Sequence, residues 1–323
     1  MIEIISLIVS VYNEESGLEQ FYKTTKQKMD ELISEKTAYD YDIYFVNDGS
    51  TDSSAELLDK IHDADPRHVK LISFSRNFGH EAAMTAGLDY ADGDYLIFMD
   101  ADLQHPPACI PDIIECFEKG YEIINMVRTQ NDDQSAFGRL ASGMFYNIIN
   151  RISDAKIIPA ASDFFAINGK AAAVLKNNYR EKVRFLRGFV QNIGFNKTTL
   201  EYEAGTRVAG HSHYSFGKLL KLSMDAVTCF SDMPLKFGIY AGLFSGFLGV
   251  LLIIYTLFTR NGAPSGYATI VIVLCFMFAV LFMLLGIMGS YISILFREMK
   301  DRPIYIIRDI KGHTDPADGK TGK

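Results

Sequence analysis

The chain has 323 residues, enough for two domains, and 48% of them are hydrophobic. Its formal net charge of −7 argues against a protein that binds nucleic acid by neutralising phosphates. Nearly all long uncharged runs fall after residue 236, whereas short apolar and amphipathic segments alternate near the beginning of the chain. This distribution predicts a globular domain followed by a membrane segment.

Short β-rich runs alternate with helical patterns between residue 1 and about residue 130. The predicted strands are Ile4–Val11, Tyr41–Asn47, Val69–Ser75, Tyr95–Met99 and Glu122–Val127, and the predicted helices are 15–35, 53–63, 80–91 and 109–119. The first run lacks a basic flank and is followed by Tyr-Asn-Glu-Glu, which favours a strand over a signal peptide. The N-terminus is therefore expected in the cytoplasm. Strands that alternate with helices predict an α/β fold with a parallel sheet covered on both faces.

Polar residues follow every predicted strand. They are Asn13-Glu14, Asn47-Asp48, Arg76-Asn77, Asp100 onward and Arg128. Parallel sheets bind ligands beyond the carboxyl ends of their strands, so these groups predict one site. Alternatives remain for several of them: Asp52 is equally explained as a helix cap, and Asn77 and His80 as loop residues without a specific role.

The stretch FMDADLQHPP, residues 98–107, ends an apolar run with three oxygen-bearing side chains at alternate positions. On an extended segment, alternate side chains point the same way, so Asp100, Asp102 and Gln104 are expected to converge. Carboxylate and amide oxygens suit Mg²⁺ or Mn²⁺, which take further ligands from substrate phosphates. The spacing therefore predicts a metal ion that holds a diphosphate.

Two runs near the C-terminus, Phe237–Phe258 and Tyr267–Phe296, contain no charged residue and each reach the roughly 20 residues needed to cross a membrane. The basic residues flank the pair rather than fill its linker, which predicts a hairpin with both ends in the cytoplasm. A hairpin buried in a soluble core is the alternative. Residues 216–235 repeat apolar side chains at helical spacing, which favours an interfacial helix over an ordinary core helix.

Five ordered motifs, SLIVSVYNEE, VNDGSTD, SRNFGHEAA, MDADLQHPP and RVAGHSHY, resemble glycosyltransferase family 2, which has the GT-A fold. Within that family they are similar to the polyprenyl-phosphate glycosyltransferases, whose bacterial members also have two C-terminal spans. The resemblance implies a cytoplasmic catalytic domain over 1–215, a juxtamembrane helix over 216–235, a transmembrane hairpin over 236–296 and a cytoplasmic tail over 297–323.

The resemblance also implies roles for individual residues. The nucleotide would be held by Tyr12, Glu14, Val46 and Asp48, and its diphosphate by Arg207 and His213. The metal and diphosphate site would be formed by Asp100, Ala101, Asp102 and Gln104. The acceptor phosphate would be bound by Arg128, Arg139 and Ser142, and the catalytic aspartate would be Asp163. A loop cap is the alternative for Asp163. The sequence departs from the common family pattern at Ser10, where many members have Pro, at His105, which replaces an acid, and at His213, which replaces a Lys.

The implied activity is inverting transfer of a hexose or N-acetylhexosamine from a nucleotide sugar, with UDP favoured, to undecaprenyl phosphate at the cytoplasmic membrane. The lipid-linked sugar would serve cell-envelope glycosylation. A processive polysaccharide synthase is an alternative, but the chain lacks a QxxRW segment, and two spans are few for a polymer channel. A non-catalytic membrane scaffold would be expected to have lost the metal ligands. No residue identifies the sugar, and homo-oligomerisation is left open.

Overall fold

The computed structural model of the chain describes residues 2–129, 161–182, 184–203 and 266–312, with scattered helical positions between Tyr240 and Phe258. The chain divides into two compact units. The first comprises Met1–Asn150, Ala155–His213 and Pro303–Lys323, and the second comprises Arg151–Asp154 and Tyr214–Arg302.

The first unit is built on an eight-stranded sheet with the order β7-β5-β6-β4-β1-β2-β3-β8. Its strands are β1 Glu3–Val11, β2 Tyr39–Asn47, β3 Val69–Phe74, β4 Tyr95–Asp100, β5 Ile123–Arg128, β6 Ala161–Asn168, β7 Lys197–Tyr202 and β8 Ile307–Lys311. Strands β1 to β4 pair in parallel, as do β5 and β7, whereas β6 and β8 run antiparallel to their neighbours. The predicted, mostly parallel α/β sheet is confirmed.

Helices connect the parallel strands in the places that the hydrophobic periodicity predicts. They are α1 Leu18–Glu35, α2 Ser54–Ala64, α3 His80–Tyr90 and α4 Ile110–Glu118. Two further helices, α5 Gly169–Asn178 and α6 Leu186–Asn192, lie between β6 and β7, where no helix was predicted from the sequence. Helix α1 buries Leu18, Phe21, Met29 and Leu32 at helical spacing against the sheet. Strand β1 is buried on both faces, as a central parallel strand must be when helices cover both sides.

The segment after residue 302 returns to the first unit, and the sequence predicted no strand there. Strand β8 pairs antiparallel with β3 and forms the edge of the sheet. Just before it, the Tyr305 ring stacks on Phe74 with centroids 5.3 Å apart. The Tyr305 hydroxyl donates a hydrogen bond to Asp89 Oδ2 at 2.7 Å. Part of the predicted C-terminal tail therefore completes one edge of the catalytic sheet.

In the second unit, helix α7 spans Tyr267–Met299. Within the described residues, its part Phe276–Met299 is the single helix long and apolar enough to cross a membrane, with a hydropathy of 2.2 and no buried residue in its most apolar window. Length and composition alone support that assignment. The predicted span Phe237–Phe258 is described only at scattered positions, and residues 216–235 lie outside the described ranges. The two-span hairpin thus stays a prediction.

Candidate active site

The carboxyl ends of the central strands meet at one edge of the sheet. In the parallel register, Ser10 of β1 lies opposite Val46 of β2 and Asp100 of β4. Strand β6 runs the other way and pairs Phe165 with Phe98. Asp163 comes two residues before Phe165, and Asp100 two residues after Phe98, so the antiparallel direction carries both carboxylates toward the same edge.

Asp48, directly after β2, is 2% exposed and holds a neighbouring loop. Its Oδ1 accepts a hydrogen bond from the Phe78 N–H at 2.6 Å, and its Oδ2 accepts one from the Gly79 N–H at 2.9 Å. Burial raises the pKa of Asp48, although these two donors oppose the shift. Both oxygens therefore accept hydrogen bonds from backbone N–H groups, and the Asp48 carboxylate orders the loop that leads into α3.

The loops after β1 and β2 are tied together by hydrogen bonds. Asn13, in the left-handed region at φ 57°, accepts from the Thr51 N–H at 2.8 Å through Oδ1. The Glu14 N–H donates to Ser54 Oγ at 2.9 Å. Asp52 accepts backbone hydrogen bonds on both oxygens, one from Ser54 at 3.0 Å, which agrees with the capping alternative for that residue. The paired loops leave Tyr12 46% exposed at the edge of the site.

The chain turns directly after β4. Residues 101–105 form turns and bends, and Leu103 has a φ of 62°. Asp102 Oδ1 accepts from the Gln104 N–H at 3.0 Å, and the Asp100 N–H donates to His105 Nδ1 at 2.9 Å. The expectation of an extended segment with side chains alternating to one side is therefore wrong. The strand ends at Asp100 because the local hydrogen bonds favour a compact turn.

The donor set still fits a divalent metal by its chemistry. Asp100, at the end of β4, and Asp102 supply carboxylate oxygens, and Gln104 supplies an amide oxygen, at alternate positions of the chain. Among the described residues, no group of three or more His, Cys, Asp or Glu side chains could hold a metal ion. A site with two carboxylates would need further oxygen ligands, as Mg²⁺ sites that also bind substrate phosphates do. The metal assignment remains a prediction.

A chain of polar contacts joins Asp100 to Asp163. Ser10 Oγ donates to Asp100 Oδ1 at 3.1 Å and lies 2.9 Å from His80 Nδ1. On the other side of the ring, His80 Nε2 is 4.0 Å from Asp163 Oδ2. The second oxygen of Asp163 lies 3.6 Å from a guanidinium nitrogen of Arg187. Asp163 is thus placed between two basic side chains.

The carboxylates around His80 favour its charged form. Partial burial opposes that charge, but the negative charges of Asp100, Asp163 and Glu81 outweigh it and raise the pKa of His80. Burial, followed by the charge of Asp163, also raises the pKa of Glu81. Glu81 Oε2 accepts the Leu186 N–H at 2.8 Å, which connects the first turn of α3 to the start of α6.

Arg128 ends β5 on the same side of the sheet and pairs in register with Tyr202 of β7. Its Nε is buried and has no hydrogen-bond partner within the described part of the chain. A buried guanidinium N–H without a partner costs free energy, and a bound anion would satisfy it.

The His105 ring stacks on Phe164 with centroids 5.1 Å apart and is 6% exposed, so this departure from the family pattern is accommodated as a packed ring.

The structure reaches only some of the predicted site residues. Arg139, Ser142, Arg207 and His213 lie outside the described ranges. The side chains of Val46 and Ala101 are fully buried. Ser10, His80 and Arg187 were assigned no role from the sequence, although the motif resemblance marked Ser10 as a departure. A signal for His80 was its place at the end of the loop that follows the third strand, since polar residues after the other strands also contribute to the site.

Comparison with known proteins gives one consistent family. Residues 6–174 match the profile described as glycosyl transferase family 2. An uncharacterized glycosyltransferase of Bacillus subtilis, YkcC, is 38% identical over 95% of this chain and 94% of its own length. A prophage-derived bactoprenol glucosyl transferase of Shigella flexneri is 36% identical over 94% of this chain and 97% of its own.

Solved structures resemble the chain more distantly. A mannosyltransferase from Pyrobaculum calidifontis, solved with GDP-Man and Mn²⁺, gives a TM-score of 0.46 at 12% identity and covers 88% of each chain. Nothing about ligands follows from a likeness of that degree. The family profile covers more than half of the residues and the relatives align over nearly the whole length, so the chain is a glycosyltransferase and belongs to glycosyltransferase family 2.

Proposed function

We propose that this enzyme transfers a hexose or N-acetylhexosamine from a nucleotide sugar, a UDP-sugar, to a polyprenyl phosphate, with inversion at the anomeric carbon. The observation that carries the proposal is the meeting of Asp100 and Asp163 at one sheet edge, beside Arg128. The nearly full-length similarity to a protein named bactoprenol glucosyl transferase supports a polyprenyl phosphate as acceptor.

The nucleotide would bind over the joined loops after β1 and β2. Tyr12 is exposed there and offers an aromatic face to a base, while Glu14 stands beside it on the same loop. Asp48 would act mainly through the loop that its carboxylate holds, because the Phe78 and Gly79 N–H groups already bind both of its oxygens. These features support a nucleotide donor without specifying its sugar.

A divalent cation, Mg²⁺ or Mn²⁺, would be held by Asp100, Asp102 and Gln104 together with the donor diphosphate. The ion would supply positive charge that stabilises the departing diphosphate. The chain's own residues do the remaining work: the Asp100 carboxylate is kept in place by Ser10 and lies 3.5 Å from His80 Nδ1.

The acceptor phosphate would bind near Arg128, across the site from the donor diphosphate. A phosphate monoester has a second pKa of about 6 and is largely a dianion at neutral pH, so it needs no strong base. The Arg128 Nε, which has no hydrogen-bond partner among the described residues, is suited to such an anion. Arg139 and Ser142 are three positions apart, so on a helix both would reach the same phosphate.

The reaction is then one displacement. An acceptor phosphate oxygen forms a bond to the anomeric carbon as the bond from that carbon to the diphosphate oxygen breaks, and the electron pair leaves with the diphosphate. Asp163 lies between Arg187, at 3.6 Å, and His80, at 4.0 Å. Its negative charge would stabilise the positive charge that develops on the sugar, rather than remove a proton.

The membrane segment would keep the catalytic unit beside its lipid substrate. Helix α7 is long and apolar enough to span the bilayer. With the predicted first span it would form a hairpin with both termini and the catalytic unit in the cytoplasm. That placement gives the site access to a cytoplasmic nucleotide sugar and to a lipid phosphate at the inner surface of the same membrane.

The test uses membranes that contain the full-length protein. They are incubated with undecaprenyl phosphate and each of a panel of nucleotide sugars, and the lipid product is identified by mass spectrometry. We expect a lipid-linked monosaccharide from one donor and its loss with Asp163→Asn. Asp102→Asn or excess EDTA should lower turnover by about 100-fold or more, the scale of a lost electrostatic contact in catalysis. Full turnover by Asp102→Asn, or in EDTA, contradicts the metal site.

The acceptor assignment has a separate test in Arg139→Ala. Truncating one partner of a desolvated charge pair costs about 2–5 kcal/mol, so the KM for polyprenyl phosphate should rise far more than that for the nucleotide sugar. Equal effects on both KM values would indicate a folding defect or a diphosphate role. No effect on either would move the acceptor site toward Arg128.

A further inference from the structure

Two residues of the site have no assigned part in the proposed reaction and yet link its two principal carboxylates. Ser10 is on β1 and His80 begins α3, far apart in the sequence. The Ser10 hydroxyl has one proton and donates it to Asp100 Oδ1 at 3.1 Å. Its oxygen is then free to accept from His80 Nδ1–H at 2.9 Å, which directs His80 Nε2 toward Asp163 at 4.0 Å.

We propose that Ser10 and His80 are positioning residues that form one bridge between the metal-binding carboxylate Asp100 and the catalytic carboxylate Asp163. The bridge rests on the proposed function, because it assigns the two ends to donor binding and to transfer. Ser10 orients Asp100 toward the diphosphate, and His80 sets the distance from that site to Asp163. Each end is also attached to a rigid element, β1 for Ser10 and α3 for His80.

The geometry gives the two residues separable effects. Ser10 touches Asp100 directly, so its loss should act first on metal binding. His80 approaches Asp163 with Nε2, which lies 4.0 Å from Oδ2, so losing that nitrogen should act on kcat. A carboxylate that ligates a metal depends on its hydrogen-bond partners for orientation, and removing such a partner costs about 10- to 100-fold in metal affinity or activity.

Substitutions of His80 can separate the contacts of its two ring nitrogens. The side-chain amide nitrogen of Asn occupies nearly the position of Nδ1, and that of Gln nearly the position of Nε2. His80→Asn therefore keeps a donor toward Ser10 and loses the contact with Asp163, while His80→Gln does the reverse. Ser10→Ala removes the hydroxyl. Ser73→Ala, at a half-buried serine on β3, two strands away in the same sheet, is the matched control.

The experiment uses purified full-length protein in detergent. Mn²⁺ binding in the presence of UDP is measured by the electron paramagnetic resonance signal of free Mn²⁺, and kcat and KM are measured separately with the donor found above. We expect Ser10→Ala to weaken Mn²⁺ binding by about 10-fold, with Ser73→Ala unchanged. His80→Asn should keep Mn²⁺ affinity and lose kcat, and His80→Gln should keep more kcat and bind Mn²⁺ less well.

Three results overturn the bridge: Ser10→Ala that matches Ser73→Ala, His80 variants that change both readouts equally, or a wild-type protein that binds no Mn²⁺ with UDP. The proposed function fails differently. A wild-type protein that binds Mn²⁺ but makes no lipid-linked sugar contradicts the acceptor, while the Mn²⁺ measurements on Ser10→Ala still decide the Asp100 end of the bridge.

Discussion

Replacing Asp48 by Asn tests whether this buried carboxylate orders the loop before α3. The two side chains have nearly the same shape, so packing is preserved. Asp48 accepts one backbone N–H on each oxygen, at 2.6 Å from Phe78 and 2.9 Å from Gly79. Asn keeps one acceptor oxygen but turns an NH₂ group toward the other N–H, so a buried donor loses its partner and faces a second donor.

The magnitude follows from that single lost contact. A buried hydrogen-bonding group left without a partner costs about 1–3 kcal/mol, which corresponds to about 5- to 150-fold in a local opening equilibrium. Because burial raises the pKa of Asp48, removing its charge offsets part of the loss. We therefore expect backbone amides 78–81 to exchange with solvent deuterium about 5- to 50-fold faster, the lower part of that range.

Hydrogen–deuterium exchange with mass spectrometry on the full-length protein measures this directly. The KM for the nucleotide sugar should rise along with the exchange rate, since the loop is next to the proposed nucleotide site. Asp42→Asn is the matched control: Asp42 is also on β2, burial also raises its pKa, and its nearest cation, Lys70 Nζ, is 3.8 Å away. Unchanged exchange in Asp48→Asn, or equal changes in both variants, would refute the reasoning.

Three further predictions concern the fold and the membrane. Gly49→Ala places a methyl group 2.6 Å from the Asn77 backbone nitrogen, at a position where φ is 65°. We expect the free energy of unfolding, measured by thermal unfolding, to fall by at least the roughly 1–2 kcal/mol that a left-handed conformation costs a residue with a side chain. Although burial opposes it, hydrogen bonds led by that from Lys26 lower the pKa of Asp65 to about 2. Because the pKa is lowered on folding, the ionised Asp65 stabilises the fold by about 2 kcal/mol at pH values above its unfolded pKa near 3.9. This stabilisation is lost as the pH falls toward 2. The free energy of unfolding of Asp65→Asn should therefore depend less on pH between about 4 and 2 than that of the wild type. A cysteine replacing Ser265 should react with an impermeant thiol reagent outside intact cells, and labelling only after lysis would contradict the hairpin.

The sequence alone determined the parallel sheet and the edge at which the site lies. Apolar β-rich runs alternating with amphipathic helices leave few arrangements other than crossover connections, and each run ends in a polar residue such as Asp48, Asp100 or Arg128. These features depend on local composition and on the side-chain period, which a sequence displays directly. The motifs that carry the family resemblance have the same origin, since each is a short continuous stretch of sequence.

Contacts between distant residues were decided only by the tertiary structure. Ser10 meets His80 and Asp100 because β1 lies between β2 and β4 and α3 packs over its end, and no periodicity reports that neighbourhood. The turn at Leu103 replaced an expected extension because local hydrogen bonds outweighed strand continuation. Strand β8 pairs with β3 although most of the chain, including α7, separates them in the sequence, so no local pattern could predict the pairing.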